Sequence, residues 1–218
     1  DIDPADTHVP DGGVPRDSVR AMADAYEAAI RTAGGIDFQL LGIGKTGHIG
    51  FNEPGSGAES RTRLVQLDVI TRRDAAADFF GEEHVPREAV TMGVATILEA
   101  REIAILATGE HKSAIVRRAV EGAVDLEVAA TFLQRHPNTT FYLDTAAAAE
   151  LTRVATPWRV DEVEWTPALA VRAARSRFWP RASGWRAIPA AHGKAITPPW
   201  PNTCRRPIGR MPSGRPAS

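Results

Sequence analysis

The sequence predicts an α/β domain in which a parallel sheet is flanked by helices. Short apolar runs alternate with segments of helical periodicity, and glycine or aspartate marks the point where each run ends. Apolar residues make up 43% of the 218 residues, a proportion that suits one globular domain of this class. Ligands of such sheets bind beyond the carboxyl ends of the strands, so functional residues are expected there.

The first two elements are a helix and a short strand. The helix begins near Asp17 or Ser18 and ends at Gly34-Gly35. Its apolar residues recur with helical spacing: Val19, Met22, Ala23, Tyr26, Ile30 and Ala33. The strand FQLL at 38–41 follows and leads into a glycine-rich loop.

Two further strands complete the predicted sheet. The run IAILA at 103–107 precedes a helix over about 110–121, and TFYL at 140–143 ends before an alanine-rich helix at 145–152. Three strands are few for such a sheet, since five or six are usual. The chain also begins without Met, and we therefore expect it to lack the N-terminal part of a longer domain.

The composition changes at residue 172. The segment 172–218 holds 10 basic residues, no acidic residue and 8 of the 16 prolines. Because prolines interrupt helices and strands, we predict a domain over 1–171 and a basic, disordered tail over 172–218. Basic tails are typical of nucleic-acid binding, but this one has no helical stripe on which to present its arginines, so no nucleic-acid partner is expected.

Several other classes are also excluded at this level. No run of about 18 apolar residues occurs, so no membrane partner is expected. Cys204 is the only cysteine, which excludes an internal disulfide and a cysteine metal cluster. The N-terminus lacks the order of a signal peptide, in which an apolar run follows basic residues. These features favour a cytoplasmic protein.

The loop at 42–55, GIGKTGHIGFNEPG, has the residues best suited to chemistry. Its glycines fit a set of tight turns. The spacing of the first three also matches the dinucleotide fingerprint G-x-G-x-x-G, but Pro54 and Gly55 occupy the place where a long helix should begin. His48 and Glu53 favour a third interpretation, a catalytic loop, because a carboxylate near a histidine can orient the imidazole and stabilise its charged form. Proton transfer is therefore predicted.

Five segments give the sequence a resemblance to a known family. They are GIGKTGHIGFNEPGS at 42–56, SRTR at 60–63, TMGVATILEA at 91–100, HKSAIVRRAVEG at 111–122 and TFLQRHP at 131–137. In these segments, which occur in order, the chain resembles the glucosamine-6-phosphate deaminase (isomerase) family. The resemblance implies a Rossmann-like fold and conversion of glucosamine 6-phosphate and water to fructose 6-phosphate and ammonia.

The resemblance also assigns roles to residues. The family's histidine moves a proton between the ring and anomeric oxygens, and its glutamate supports the histidine; these roles pass to His48 and Glu53. Thr46 stands where most members carry aspartate and one branch carries threonine. Lys112 matches a lysine that contacts the substrate phosphate, and it opens a helix, where amide groups and the helix dipole favour an anion.

Other positions leave alternatives open. Ser56, Arg61 and Arg63 match an allosteric N-acetylglucosamine 6-phosphate site of some members, or they are structural. The family arginine before a Phe-Phe pair, which binds phosphate, is replaced here by Asp78. The candidate substitutes for it are Arg72 and Arg73.

The implied chemistry needs only proton transfers, so no cofactor and no metal are expected. The expected partner is a small-molecule sugar phosphate, and the intact family member is expected to be a homo-oligomer. Two other functions remain open. One is a 6-phosphogluconolactonase-like hydrolase, a sister group that shares the glycine-histidine part but not the Asn52-Glu53 pair. The other is a non-catalytic sugar-phosphate-binding module.

The resemblance further implies that two parts of the reaction site precede this chain. They are a first phosphate loop and the aspartate that removes the proton from carbon 2. Glu53 is engaged by His48, and Asp144 has no match to that base. We therefore expect the 218-residue chain to release ammonia at least roughly 10⁴-fold more slowly than an intact homologue, because it lacks a proton-transfer group and part of its positioning.

Overall fold

A computed structural model of the chain describes residues 2–175. The chain divides after Ala173 into two units, and only the first two residues of the second unit, Ala174–Ser218, are described. The predicted tail over 172–218 therefore lies outside the described residues, except that its first four residues complete a helix ending at Arg175.

The helices and strands alternate along most of the described chain. In chain order they are α1 (Val19–Thr32), β1 (Phe38–Gly42), β2 (Arg63–Gln66), α2 (Val69–Ala75), β3 (Glu88–Thr91), α3 (Val94–Leu98), β4 (Glu102–Ala107), α4 (Ser113–Glu121), β5 (Thr139–Leu143), α5 (Thr152–Ala155) and α6 (Pro167–Arg175). Short 3-10 helices lie at Pro4–Asp6, Glu82–His84, Glu110–Lys112, Ala129–Arg135 and Pro157–Arg159.

Three of the strands form the predicted parallel sheet, in the order β1-β4-β5. Leu41 in β1 lies opposite Ile105 in β4, and Ile105 lies opposite Phe141 in β5. The α/β class is thus confirmed, and the apolar runs at 103–107 and 140–143 are strands as predicted. Because the strands are parallel, their carboxyl ends meet at one edge of the sheet.

One face of this sheet carries the hydrophobic core. Ile103 and Ile105 are fully buried in a cluster that includes Val116 of α4 and Leu133 of the 3-10 helix Ala129–Arg135. On the other face, four large apolar side chains are about half exposed: Phe38, Leu40, Leu106 and Tyr142. Parallel sheets are usually covered on both faces, so the described residues leave an apolar surface open.

The antiparallel pair β2 and β3 was not predicted. Arg63 lies opposite Thr91, and Val65 lies opposite Ala89. Each strand has only four residues, RLVQ and EAVT, and no residue of β2 is fully buried. Such short, mixed segments carry no clear period-two pattern, and their pairing with each other supplies the structure.

The alanine-rich segment 145–152 is not the helix that its composition predicts. It forms a series of turns, and the short helix α5 begins only at Thr152. The carboxylate of Asp144 accepts hydrogen bonds from the amide of Ala147 at 2.7 Å and from the amide of Gly109 at 3.0 Å. These contacts fix the chain in a turn, and they outweigh the helix propensity of alanine.

A buried carboxylate joins α1, which forms as predicted, to its neighbours. Glu27 is 6% exposed, and its Oε1 accepts hydrogen bonds from the amide and hydroxyl of Thr62 and from the hydroxyl of Thr96 in α3. Burial alone would raise the pKa of Glu27. The hydrogen bonds and the charge of Arg61, 3.6 Å from Oε2, outweigh burial and hold the pKa below its ordinary value.

We predict that Glu27→Gln lowers the free energy of unfolding at pH 7 by about 1–3 kcal/mol, because the hydroxyls then lose a charged acceptor. A depressed folded pKa means that the carboxylate stabilises fully above the ordinary glutamate pKa and stops doing so as the pH falls through the folded value. The difference between Glu27→Gln and wild type should therefore shrink below about pH 4.

Urea unfolding across this pH range measures the effect, and Glu99→Gln is the matched control. Glu99 is an exposed partner of Arg61, which donates to it at 2.7 Å, and such pairs contribute less than about 1 kcal/mol. Equal losses in the two variants would show that the buried network stabilises the fold no more than an exposed ion pair does.

Candidate active site

The loop at 42–55 begins at the carboxyl end of β1, the sheet edge at which a ligand is expected. The carbonyl of His48 accepts a hydrogen bond from the amide of Gly44 at 3.0 Å, so the loop turns back on its own start. A Cβ on Gly44 would lie 2.2 Å from His48 Nε2. Gly47 has a φ of +82°, and a Cβ there would lie 2.5 Å from Val128. Two of the loop glycines therefore make room for the histidine ring and its turn.

His48 and Glu53, singled out from the sequence, lie together. His48 Nδ1 is 3.0 Å from Glu53 Oε2, and the side chains are 15% and 9% exposed. Thr46 Oγ1 lies 3.3 Å from each of these atoms. The hydroxyl of Thr71 in α2 lies 3.2 Å from the same Nδ1. Thr71 is a site residue that was not predicted, because nothing in its local sequence links it to the loop.

The carboxylate of Glu53 is charged in these surroundings. Burial by itself would raise the pKa of Glu53, but hydrogen bonds with His48 and Thr71 and the charge of a protonated His48 outweigh it and hold the pKa below its ordinary value. The amide of Asp68 also donates to Oε1, at 3.3 Å. An anionic Glu53 accepts a hydrogen bond from Nδ1–H of His48, which leaves Nε2 to exchange a proton with a ligand.

Asn52 holds the loop between these two residues. Its side chain is fully buried, and Nδ2 donates to the carbonyls of Ile49 at 2.9 Å and Met92 at 2.8 Å. Its Oδ1 accepts a hydrogen bond from Arg63 at 2.9 Å. These three partners satisfy most of the hydrogen-bonding capacity of the Asn52 side chain, as is usual for a buried polar group. The loop is thereby fixed to β2 and to the end of β3.

The three residues with an allosteric or structural alternative all make internal contacts. Arg63 donates to Ser56 Oγ at 2.8 Å in addition to Asn52. Arg61 donates to Glu99 at 2.7 Å. These contacts support the structural alternative, and an allosteric site stays a prediction.

Lys112 lies at the same edge of the sheet as His48. It immediately precedes α4, and its ammonium donates to the carbonyl of Ile43, just after β1, at 2.8 Å. Burial lowers the pKa of Lys112, Asp74 opposes this effect and Lys45 adds to it. An ammonium has three donors, so Lys112 can hold this carbonyl and still bind an anion.

The remaining candidates are engaged elsewhere. Arg72 and Arg73 lie 3.7 Å and 3.5 Å from carboxylate oxygens of Glu82. Asp144 accepts hydrogen bonds from backbone amides, above all from that of Ala147, and these bonds lower its pKa. Asp144 thus fixes a turn.

Within residues 2–175, no three side chains of histidine, cysteine, aspartate or glutamate come close enough together to hold a metal ion. The same residues contain no helix that combines the length and apolar character needed to cross a membrane.

Comparison with known proteins places the chain in a family. Residues 2–142 match the family described as glucosamine-6-phosphate isomerases/6-phosphogluconolactonase, and the chain belongs to this family. A glucosamine-6-phosphate deaminase of Rhodopirellula baltica is 52% identical over 153 residues, which are 70% of this chain and 60% of the relative. The protein of that name from Shewanella loihica is 50% identical over 151 residues, 69% of this chain and 56% of the relative.

Solved structures agree with the fold. A monomeric glucosamine-6-phosphate deaminase has a TM-score of 0.65 and 39% identity, covering 67% of this chain and 60% of its own. The 6-phosphogluconolactonase of Trypanosoma cruzi has a TM-score of 0.50 and 25% identity, covering 65% of this chain and 55% of its own. The chain spans about 60% of the length of the deaminases that it matches.

We predict that Glu53 titrates below the ordinary glutamate range in wild type and that His48→Leu raises its pKa, because burial then acts with less opposition. Carbon-13 NMR of the side-chain carboxyls follows this titration. Glu99, whose pKa is lowered by its hydrogen bond with Arg61, is an internal control that should not move. A Glu53 titration that is unchanged in His48→Leu would contradict the coupling of the pair.

Proposed function

We propose that the intact protein converts glucosamine 6-phosphate and water into fructose 6-phosphate and ammonia, and that the chain described here opens the sugar ring. The observation that carries this proposal is the hydrogen bond of 3.0 Å between His48 Nδ1 and Glu53 Oε2. Two relatives at about 50% identity that are named glucosamine-6-phosphate deaminase support it.

Ring opening requires two proton movements. The anomeric hydroxyl loses a proton as its oxygen becomes a carbonyl, and the ring oxygen gains a proton as its bond to carbon 1 breaks. Nε2 of His48 would take the first proton and return one to the ring oxygen. Glu53 would stabilise the imidazolium that exists between these steps, and the hydroxyl of Thr46, 3.3 Å from both groups, would help to orient them. No net proton is consumed.

The phosphate of the substrate would bind next to this pair. Lys112 is half-buried where a short 3-10 helix leads into α4, and the dipole of α4 also favours an anion there. The loop at 42–55 and Lys112 both lie at the carboxyl edge of the sheet, so one sugar phosphate could contact both.

Four parts of the proposal rest on the family expectation alone. They are action as a hydrolase, a role in N-acetylglucosamine catabolism, a cytoplasmic location and assembly of the intact protein into a homo-oligomer. The similar deaminase structure is described as a monomer, so a measurement of molecular mass in solution is the direct test of the last point.

We predict that the 218-residue chain accelerates exchange between the two anomers of glucosamine 6-phosphate, and that His48→Gln lowers this acceleration by roughly 10²–10⁴-fold, the usual contribution of a positioned acid-base group. NMR exchange spectroscopy measures the rate without requiring the later steps of the reaction. His136→Gln is the matched control, because His136 contacts the carbonyl of Ala100 before β4, at the opposite edge of the sheet.

The same samples separate the alternatives. A lactonase would hydrolyse 6-phosphogluconolactone, and a binding module would bind the sugar phosphate without accelerating its anomer exchange. Full exchange activity in His48→Gln would remove His48 from the mechanism.

We also predict that Lys112→Ala raises the Kd for glucosamine 6-phosphate by about 10- to 100-fold, the effect of losing a charge-assisted hydrogen bond of about 1.5–3 kcal/mol. Calorimetric titration measures the change. Glucosamine without phosphate is the control ligand, and its affinity should not change. An equal effect on both ligands, or no effect, would assign Lys112 to the structure of the loop alone.

A further inference from the structure

Two pairs of side chains join the loop at 42–55 to helix α2. The hydroxyl of Thr71 lies 3.2 Å from His48 Nδ1, and the carboxylate of Asp74 lies 2.5 Å from the ammonium of Lys45. Thr71 and Asp74 are three residues apart, so they share one face of α2. The Lys45–Asp74 pair therefore lies about one turn along α2 from the contact with the proposed ring-opening histidine.

A second ammonium reaches the same place. Lys112 Nζ donates to the carbonyl of Ile43, two residues before Lys45 in the chain. Both Lys45 and Asp74 are close enough to influence the pKa of Lys112. Two ammonium groups and one carboxylate thus surround the start of the loop, with an excess of one positive charge.

The Lys45–Asp74 ion pair is too exposed to contribute much to the stability of the fold. The side chains are 47% and 36% exposed, and ion pairs with that exposure contribute little to folding. A phosphate group carries up to two negative charges and three acceptor oxygens, so it is a stronger partner for an ammonium than a single carboxylate is. A phosphate that binds Lys112 can therefore replace Asp74 as the partner of Lys45.

We propose that Lys45 is a second phosphate-binding residue of this site, and that Asp74 holds it while the site is empty and competes with the ligand for it. This inference rests on the proposed function, because it takes the ligand to be a phosphorylated sugar. Asp74 then sets the affinity of the site: its carboxylate keeps Lys45 in place and is displaced when the phosphate arrives.

Calorimetric titration of the 218-residue chain tests the inference with glucosamine 6-phosphate and with inorganic phosphate. Lys45→Met should weaken binding of both by about 10-fold. Asp74→Asn should strengthen binding by about 3- to 5-fold, because the competitor is removed. In the double variant this gain should vanish, since Asp74 acts through Lys45. Asp37→Asn is the matched control. Asp37 lies just before β1, at the opposite edge of the sheet, and pairs with Arg101, so removing its charge should not change the affinity for either ligand.

Other outcomes overturn the inference in distinguishable ways. Weaker or unchanged binding in Asp74→Asn would make the pair a structural link between the loop and α2. A gain from Asp74→Asn that persists in the Lys45→Met background would reduce Asp74 to a general repulsive charge. Binding that is lost in Lys112→Ala but not in Lys45→Met would leave the proposed function standing without Lys45. Failure of wild type to bind either ligand would remove this inference and the ring-opening role proposed for the 218-residue chain.

Discussion

The buried amide of Asn52 is the contact on which the candidate site depends. A loop with four glycines within nine residues has little intrinsic conformational preference, and ordering it costs about 1–2 kcal/mol of backbone entropy per residue. Asn52 offsets this cost with hydrogen bonds to Ile49, Met92 and Arg63, all made away from water. Because Glu53 is the next residue, the position of its carboxylate against His48 follows from the position of the amide.

This dependence explains the second sheet. The pair β2 and β3 is too small to contribute much core, but it brings Arg63 from one strand and Met92 from the end of the other to the same side chain. Arg63 also donates to Ser56, so one guanidinium holds both ends of the segment 52–56, which contains Glu53. An effector anion at Arg63 would have to replace these internal partners, and that would loosen the loop that carries Glu53.

The sequence could predict the parts of the fold that are encoded locally. The short apolar run IAILA at 103–107, rich in isoleucine and followed closely by glycine, favours a strand by itself, and the helical spacing of α1 is clear without any neighbours. The turns at 145–152 depend on Asp144 meeting the amide of Gly109, 35 residues earlier. Short strands such as RLVQ depend on their partner in the same way. Local patterns cannot contain such contacts.

The same division applies to the site. His48, Glu53 and Thr46 fall within eight residues, so their proximity could be predicted, whereas Thr71 and Asp74 approach the loop only because α2 packs there.

The arrangement around His48 has an electrostatic consequence as well as a geometric one. With threonine at position 46, Glu53 is the single carboxylate that contacts the imidazole among the described residues, and it must both orient Nδ1 and balance the charge of a protonated ring. The depressed pKa of Glu53 keeps its carboxylate anionic at neutral pH. This one carboxylate can therefore orient the ring and balance its charge, provided that the loop holds it within hydrogen-bond distance of His48. The packing of α2 and the bonds of Asn52 thus serve one requirement, a fixed distance between a carboxylate and a ring.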